Sequence, residues 1–148
     1  MPYTIKKLSP ADLDQARQLL EEWYRDDGII NPRLPSDVYL QKLMSKDSFH
    51  VYVALGGEQV IGGLSAYELD MFDEEVTEMF IFEIGVNKHH RQRGVARMLI
   101  EALEATCREK GIKVAFVATF MDNEAARQLY TSTGGTMEVV PLFTYNWK

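Results

Sequence analysis

Glu83 interrupts the apolar run Met79-Phe80-Ile81-Phe82-Glu83-Ile84, where a carboxylate loses part of its hydration. Desolvation disfavours the charged form, so its pKa is expected to rise toward a range useful for proton removal. Other readings of the residue stay open: a structural carboxylate paired with an arginine or loop N–H groups, or the binding partner of a substrate ammonium. Directly downstream the chain continues Gly85-Val86-Asn87-Lys88-His89-His90-Arg91-Gln92-Arg93-Gly94-Val95-Ala96 and enters a helical pattern. A helix start exposes N–H groups without intrahelical partners and the positive end of the macrodipole, so it attracts anions. Gly94 lets backbone approach a phosphate, Ala96 leaves the first turn uncrowded, and Arg91 and Arg93 add charge. Such a loop can cradle a pyrophosphate, though an ordinary solvated turn has the same composition. It lacks the Gly-Lys-Ser/Thr of a Walker loop and the Gly-x-Gly-x-x-Gly of a dinucleotide fold.

Further on, Asn123 and Tyr130 bracket a short helical pattern. By itself Tyr130 reads as a half-buried aromatic of an amphipathic helix. Glu68, Asp70, Asp73, Glu74, Glu75 and Glu78 form an acidic run without Lys or Arg. A solvated loop is the default for such a run, but it lies between two strand patterns that frame the region around Glu83, where it could concentrate a cation. Asp26 and Asp27 add to that field. His89 and His90 are adjacent and have no ligand cluster at metal spacing, so no metal is expected. Cys107, the one cysteine, sits in an amphipathic pattern as a packed thiol, so no internal disulfide forms and a reducing cytoplasm is expected.

The elements that must position these residues follow from periodicity. Tyr3–Lys7 reads as a strand, and Ser9-Pro10-Ala11-Asp12 as a helix start leading to Leu13, Ala16, Leu19, Leu20 and Trp23, with an end near Arg25. A turn-rich stretch 26–35 precedes a second helix capped by Ser36 and carrying Tyr39, Leu40, Leu43 and Met44. Residues 49–55, 59–69 and 77–86 read as an antiparallel meander with a Gly56-Gly57 turn. A helix over 94–110 stops at Gly111, a buried strand occupies 113–119, a short helix Glu124–Ser132 ends at Gly134-Gly135, and 136–147 closes the chain as a strand interrupted by Pro141. The order predicts one α/β domain over residues 1–148, with a mixed sheet covered by helices.

Composition narrows the function classes. Hydrophobic residues make up 46% of the 148-residue chain, which places it among globular domains. A net charge of -6 argues against a nucleic-acid surface, which needs clustered Lys and Arg, and suits a cationic small substrate. No signal-peptide core or membrane-length apolar run is present, so a soluble, unprocessed protein is expected, without a membrane partner.

Arg91-x-x-Gly94-x-Ala96 after an apolar strand resembles the acetyl-CoA loop of the GNAT superfamily of acetyltransferases, Arg/Gln-x-x-Gly-x-Gly/Ala. Asn123-x-x-Ala126-x-x-x-Tyr130-x-x-x-Gly134 is similar to the second signature of that superfamily. The resemblance implies a mixed, mostly antiparallel central sheet flanked by helices, with acetyl-CoA as acetyl donor. It implies that the backbone of Gln92, Arg93, Gly94, Val95 and Ala96, with Arg91, holds the pyrophosphate. Ile84, Gly85 and Val86 would pair with the pantetheine arm and Asn123 would touch the cofactor. Transfer would be direct, with Glu83 as base, the Val86 N–H polarising the carbonyl and Tyr130 as general acid.

Residues 64–73 and 78–86 further resemble the aminoglycoside 3-N-acetyltransferases, which carry a similar Ala-Tyr followed by Glu-x-Tyr-x-Tyr-Asp. Here Ala66-Tyr67 is followed by Glu78-x-Phe80-x-Phe82-Glu83. Glu83 stands where that family has Asp, and Phe80 and Phe82 where it has Tyr, which moves the carboxylate and removes two hydroxyls. The likeness implies an aminoglycoside acceptor acetylated at a 3-amino group, with Tyr67, Asp70, Glu78 and Glu83 binding it. The alternatives are a polyamine, another small amine or a protein amine as acceptor, and a non-catalytic acyl-CoA-binding module, against which the joint presence of Glu83 and Tyr130 speaks. Tyr145 and Trp147 would line the cleft or a subunit interface, and a homodimer follows from family analogy alone.

Overall fold

The computed structural model describes residues 2–148. They divide into two compact units, one ending at Ala118 and the other spanning Thr119–Lys148. The first unit contains β1 (Tyr3–Lys7), α1 (Leu13–Asp26), α2 (Asp37–Met44), β2 (Phe49–Gly56), β3 (Gln59–Asp70), β4 (Thr77–Val86), a 3-10 turn Lys88–His90, α3 (Val95–Lys110) and β5 (Ala115–Val117). The strands form one sheet in the order β1-β2-β3-β4-β5. Successive pairs from β1 to β4 are antiparallel, and the crossover through α3 makes β4 and β5 parallel. This is the mixed sheet that the element order predicted, mostly antiparallel as the resemblance implied.

Alternation along the strands feeds two cores. Tyr52 and Ala54 of β2, Leu64 and Ala66 of β3, and Met79 and Ile81 of β4 pack with Leu99, Leu103 and Cys107 of α3. On the opposite face Val51, Val53 and Val60 pack with Ala16 and Leu19 of α1 and Met44 of α2. Burial raises the pKa of the Cys107 thiol, with Glu68 and Glu104 adding to the effect, as suits a packed sulfur.

Ser36 caps α2 by accepting the Tyr39 N–H at 3.2 Å. α1 begins three residues later than its Ser9 signal suggests. Asp12 closes a turn by accepting the Ser9 N–H at 2.8 Å, which places Pro10 and Ala11 in that turn rather than in the helix. The strand predicted over 113–119 contracts to Ala115–Val117 at the sheet edge, with β4 on one side alone; Ala115 and Phe116 are exposed rather than buried, and Val117 is half-buried against the α3 core.

The second unit holds α4 (Glu124–Ser132), whose N-cap Asn123 accepts the Ala126 N–H at 3.1 Å. The strand predicted over 136–147 is not formed. A strand exists through its ladder; the unit holds no other strand, and Pro141 lacks a donor. Tyr145 and Trp147 stack on each other at 5.6 Å and are exposed. Among the described residues no helix is long and apolar enough to cross a membrane.

At one end of the sheet His50, 3% exposed, contacts the Glu68 carboxylate through Nε2 at 2.6 Å, and Lys110 reaches the same carboxylate at 2.5 Å. The Nδ1 of His50 has no hydrogen-bond partner among the described residues. Desolvation holds its pKa below 6.5 against the opposing pull of Glu68, so the ring is neutral and its Nε2–H donates. The unfolded chain therefore binds a proton that the folded chain resists, and stability is lost as pH falls below 6.5. We expect His50→Gln to flatten that acid slope in thermal melts taken across the pH range; an unchanged slope would show that other groups set it.

Candidate active site

β4 carries the site, and two backbone features of it decide what the site can do. β3 and β4 pair in register from Asp70↔Thr77 to Ala66↔Ile81, but Ser65 then pairs with Glu83, so Phe82 is an extra residue in β4. Such a bulge switches which side chains face which side. Met79 and Ile81 point into the α3 core before it, and Ile84 and Val86 do so after it. Without the bulge the two-residue period would drive Glu83 into that core. With it, Glu83 and Gly85 face α1.

The second feature is a free edge. β4 pairs with β5 only through Met79, Phe80 and Ile81, so from Phe82 to Val86 no strand among the described residues flanks the side away from β3. The Asn87 N–H goes to Ile61 O of β3 at 2.7 Å, and backbone direction alternates along a strand, so the groups of Ile84 and Val86 turn to the open edge. A segment bearing amide groups can add there as a strand would.

That edge leads through the 3-10 turn into the start of α3. Gly94 takes φ +80 at the N-cap and Gln92 takes φ +60, which tightens the loop. The first bond of α3 runs from Met98 N–H to Gly94 O at 3.0 Å, leaving the Val95 and Ala96 amides without intrahelical acceptors. The two arginines have different partners. Arg91 donates through Nε to Val86 O at 2.9 Å and meets the Asp26 carboxylate at 2.5 Å, so its charge is paired. Arg93 donates to a hydroxyl rather than a carboxylate, that of Tyr3 at 3.1 Å, which also contacts His90 Nδ1 at 2.9 Å. Free helix-start amides beside this guanidinium fit a pyrophosphate.

The end of α1 grips the same segment. Trp23 Nε1 donates to Gly85 O at 3.2 Å, and buried Glu22 accepts from Asn87 Nδ2 at 2.9 Å. A Cβ on Gly85 would lie 2.9 Å from Trp23 Nε1, so a side chain at this position would displace the indole. Sequence reasoning placed Trp23 only on a helix face and did not single out Glu22 or Asn87, because nothing local separates an indole that bonds to backbone from one that fills a core.

On the α1 side of the sheet Glu83 stays open to solvent, yet desolvation raises its carboxyl pKa above 4.5, and the Asp27 carboxylate raises it further. Tyr67 lies close enough to Glu83 and Tyr39 for their charges to act on its phenol, whose pKa is raised chiefly by burial. Its ring meets Phe49 at 5.0 Å and Phe82 at 6.0 Å, and Phe80 stacks on Phe116 at 4.9 Å. Glu83, Asp27 and Tyr67 are thus brought together.

Asp70 and Glu78 are not. Asp70 pairs with Thr77, and Thr77 to Glu83 is about 20 Å of strand at about 3.3 Å per residue. Of the acidic run, Asp73, Glu74 and Glu75 lie in the β3–β4 loop, where residues 70–77 line a depression of about 510 Å³, while Glu68 and Asp70 lie on β3 and Glu78 on β4. In the second unit Tyr130 is half-buried, and desolvation raises its phenol pKa, which keeps it protonated. The Asn123 carbonyl is committed to capping α4.

A mixed sheet with an open strand edge running into a helix start is an arrangement that can hold a phosphate-bearing ligand with an extended arm. Residues 14–134 match the acetyltransferase (GNAT) family, and the chain belongs to that family of acetyl-CoA-dependent N-acetyltransferases. Over 57 residues it is 35% identical to the uncharacterized N-acetyltransferase YycN of Bacillus subtilis, a match covering 38% of this chain and 36% of that protein. A second curated relative is matched over 27% of its length, so the chain spans well under half of the curated relatives it matches. Among solved structures it is similar to the aminoglycoside acetyltransferase meta-AAC0020, from an uncultured soil metagenomic sample, in complex with sisomicin: 28% identity, TM-score 0.93, and coverage of 99% of this chain and 97% of that one. It is also similar to the aminoglycoside acetyltransferase HMB0005 from such a sample, at 31% identity and TM-score 0.91, covering 99% and 100% of the two chains.

Nothing lies within 4 Å of a Cβ built on Gly94, so a side chain there meets open space and only the left-handed backbone resists it, at about 1–2 kcal/mol. We expect Gly94→Glu to fold and to weaken acetyl-CoA binding at least ~10-fold, through repulsion of the phosphates at the helix start. Calorimetric titration checks this, and an unchanged Kd would remove the loop from the cofactor site.

Proposed function

We propose that the protein transfers the acetyl group of acetyl-CoA directly to an amine of a polycationic small molecule, an aminoglycoside, at a 3-amino group. The observation that carries this reading is the junction on β4: an open strand edge and a helix-start anion site on one side of Glu83, and unpaired carboxylates on the other. When bound, acetyl-CoA supplies an activated acetyl thioester. The amides of Gln92 to Ala96, with Arg93, hold its pyrophosphate, and the edge-facing backbone groups of Ile84 and Val86 hold its pantetheine arm. Arg91 shapes the loop through Val86 O and Asp26 rather than giving its charge to the phosphates.

At neutral pH an acceptor amine arrives protonated and cannot attack. Glu83 accepts that proton, and its raised pKa makes it a stronger base than an ordinary carboxylate. The free nitrogen forms the new C–N bond as the C–S bond breaks. The Val86 N–H donates to the carbonyl oxygen as negative charge develops there. Tyr130 gives its proton to the departing thiolate, and the second proton that the nitrogen sheds on becoming an amide passes through water to restore the phenol; the role is supported by the place of Tyr130 in the α4 motif and its protonated phenol. The desolvated Cys107 thiol takes no part.

Asp27 and Tyr67 join Glu83 in binding the acceptor, the carboxylates through ammonium groups and the ring through an apolar face. Asp70 and Glu78 act at longer range, drawing cations toward the sheet. The aminoglycoside assignment is supported by full-length similarity to two aminoglycoside acetyltransferases, one of them holding sisomicin.

CoA release measured against sisomicin-type aminoglycosides, spermidine and peptides should give turnover with the aminoglycosides, and mass spectrometry of the product should place the acetyl group on a 3-amino nitrogen. Turnover confined to spermidine or peptides would transfer the assignment to those acceptors. The acidic limb of kcat/KM should rise with pH, with a midpoint above 4.5 set by loss of the Glu83 proton. Asp27→Asn removes a like charge and should move that midpoint down, while Glu83→Gln should abolish the limb with most of the rate; a limb unmoved in both variants would exclude Glu83 as the base.

A further inference from the structure

Gly85 C=O and Val86 N–H belong to one planar peptide unit, and in a trans peptide they point in opposite directions. The carbonyl receives the Trp23 indole N–H at 3.2 Å, and the N–H faces the open edge of β4. A donor on the carbonyl draws electron density from the amide and strengthens the N–H as a donor in turn, by about 10–30% per bond in condensed-phase estimates. A second observation marks the contact as built. The indole comes so close that a Cβ on Gly85 would meet Nε1 at 2.9 Å and Cδ1 at 3.0 Å, so the glycine is needed for Trp23 to lie there. The surrounding contacts hold the indole in place: buried Glu22 is bonded to Asn87 one residue beyond the peptide, and Asp26 is bonded through Arg91 to Val86 O.

We propose that Trp23 is a positioning residue for the acetyl-transfer step, fixing and polarising the Gly85–Val86 peptide so that the Val86 N–H meets the charge developing on the acetyl carbonyl oxygen. The inference rests on the reading of Val86 given above and extends it to a side chain that touches neither substrate. It acts on the transition state more than on binding, because the oxygen is a stronger acceptor once charged. Its removal should therefore appear in kcat and leave acetyl-CoA affinity nearly unchanged.

Two variants reach the same bond from opposite sides. Trp23→Phe removes the N–H and keeps an aromatic ring, and Gly85→Ala pushes the indole off the carbonyl. In the ligand-free protein each should move the Val86 amide proton resonance upfield, the sign of a weaker, less polarised donor. Each should lower kcat about 5-fold, with acetyl-CoA Kd within about 2-fold of the parent, and the double variant should lose no more than the worse single one. A Val86 resonance that stays put in both folded variants, losses that multiply in the double variant, or a rise in Kd matching the fall in kcat would overturn the proposal. If the parent protein acetylated no amine, the reading of the site would fail on that ground, while the resonance comparison would still decide whether Trp23 polarises this peptide.

Discussion

β4 keeps company with β3 for its whole length and with β5 for three paired positions only, Met79 to Ile81. Buried backbone groups without partners cost about 1–3 kcal/mol each, so a strand edge left open beside a core must face water or a ligand. The extra residue Phe82 and the parallel crossover through α3 together produce that opening, since the strand bends at the bulge as β5 ends. The same bulge turns Glu83 out of the α3 core. A single backbone irregularity thus sets both the edge that can hold an extended ligand and the carboxylate that can take a proton.

α1 makes the opening rigid. Its last turns place Trp23, Glu22 and Asp26 against Gly85, Asn87 and Arg91, three consecutive points along the segment from strand to helix. The charges sort themselves along the way. Asp26 neutralises Arg91, leaving Arg93 and the start of α3 as the positive side and Asp27 with Glu83 as the negative side. Phosphate and ammonium would be repelled from each other's places, which helps two differently charged reactants reach adjacent subsites. This local polarity matters more than the net charge of -6, to which Asp73, Glu74 and Glu75 contribute from the β3–β4 loop and Glu68 from an ion pair with Lys110.

Much of this was legible in the chain. The strands Tyr3–Lys7 and Thr77–Val86 and the helix Glu124–Ser132 stand where their patterns put them, because periodic burial and strong caps such as Ser36 and Asn123 act over a few residues. The loop Arg91 to Ala96 was legible for the same reason, as strand exit, glycine and helix start are all local. The start of α1 and the extent of β5 were less so. Asp12 competes for the Ser9 amide, and an edge strand is bounded by its one neighbour rather than by its own composition.

The sequence by itself determined which residue types were available and in what order: a desolvated carboxylate, a glycine before a helix, and two arginines between them. Only the tertiary structure decided which arginine meets a carboxylate and which a hydroxyl, that Asp27 rather than Asp70 or Glu78 stands near Glu83, and that an indole from α1 ends on the carbonyl of Gly85. The reason is distance along the chain. Caps and periods are set by neighbours a few residues apart, whereas Asp26 and Arg91, or Trp23 and Gly85, meet only after the sheet has fixed the register between helices and strands far apart in sequence.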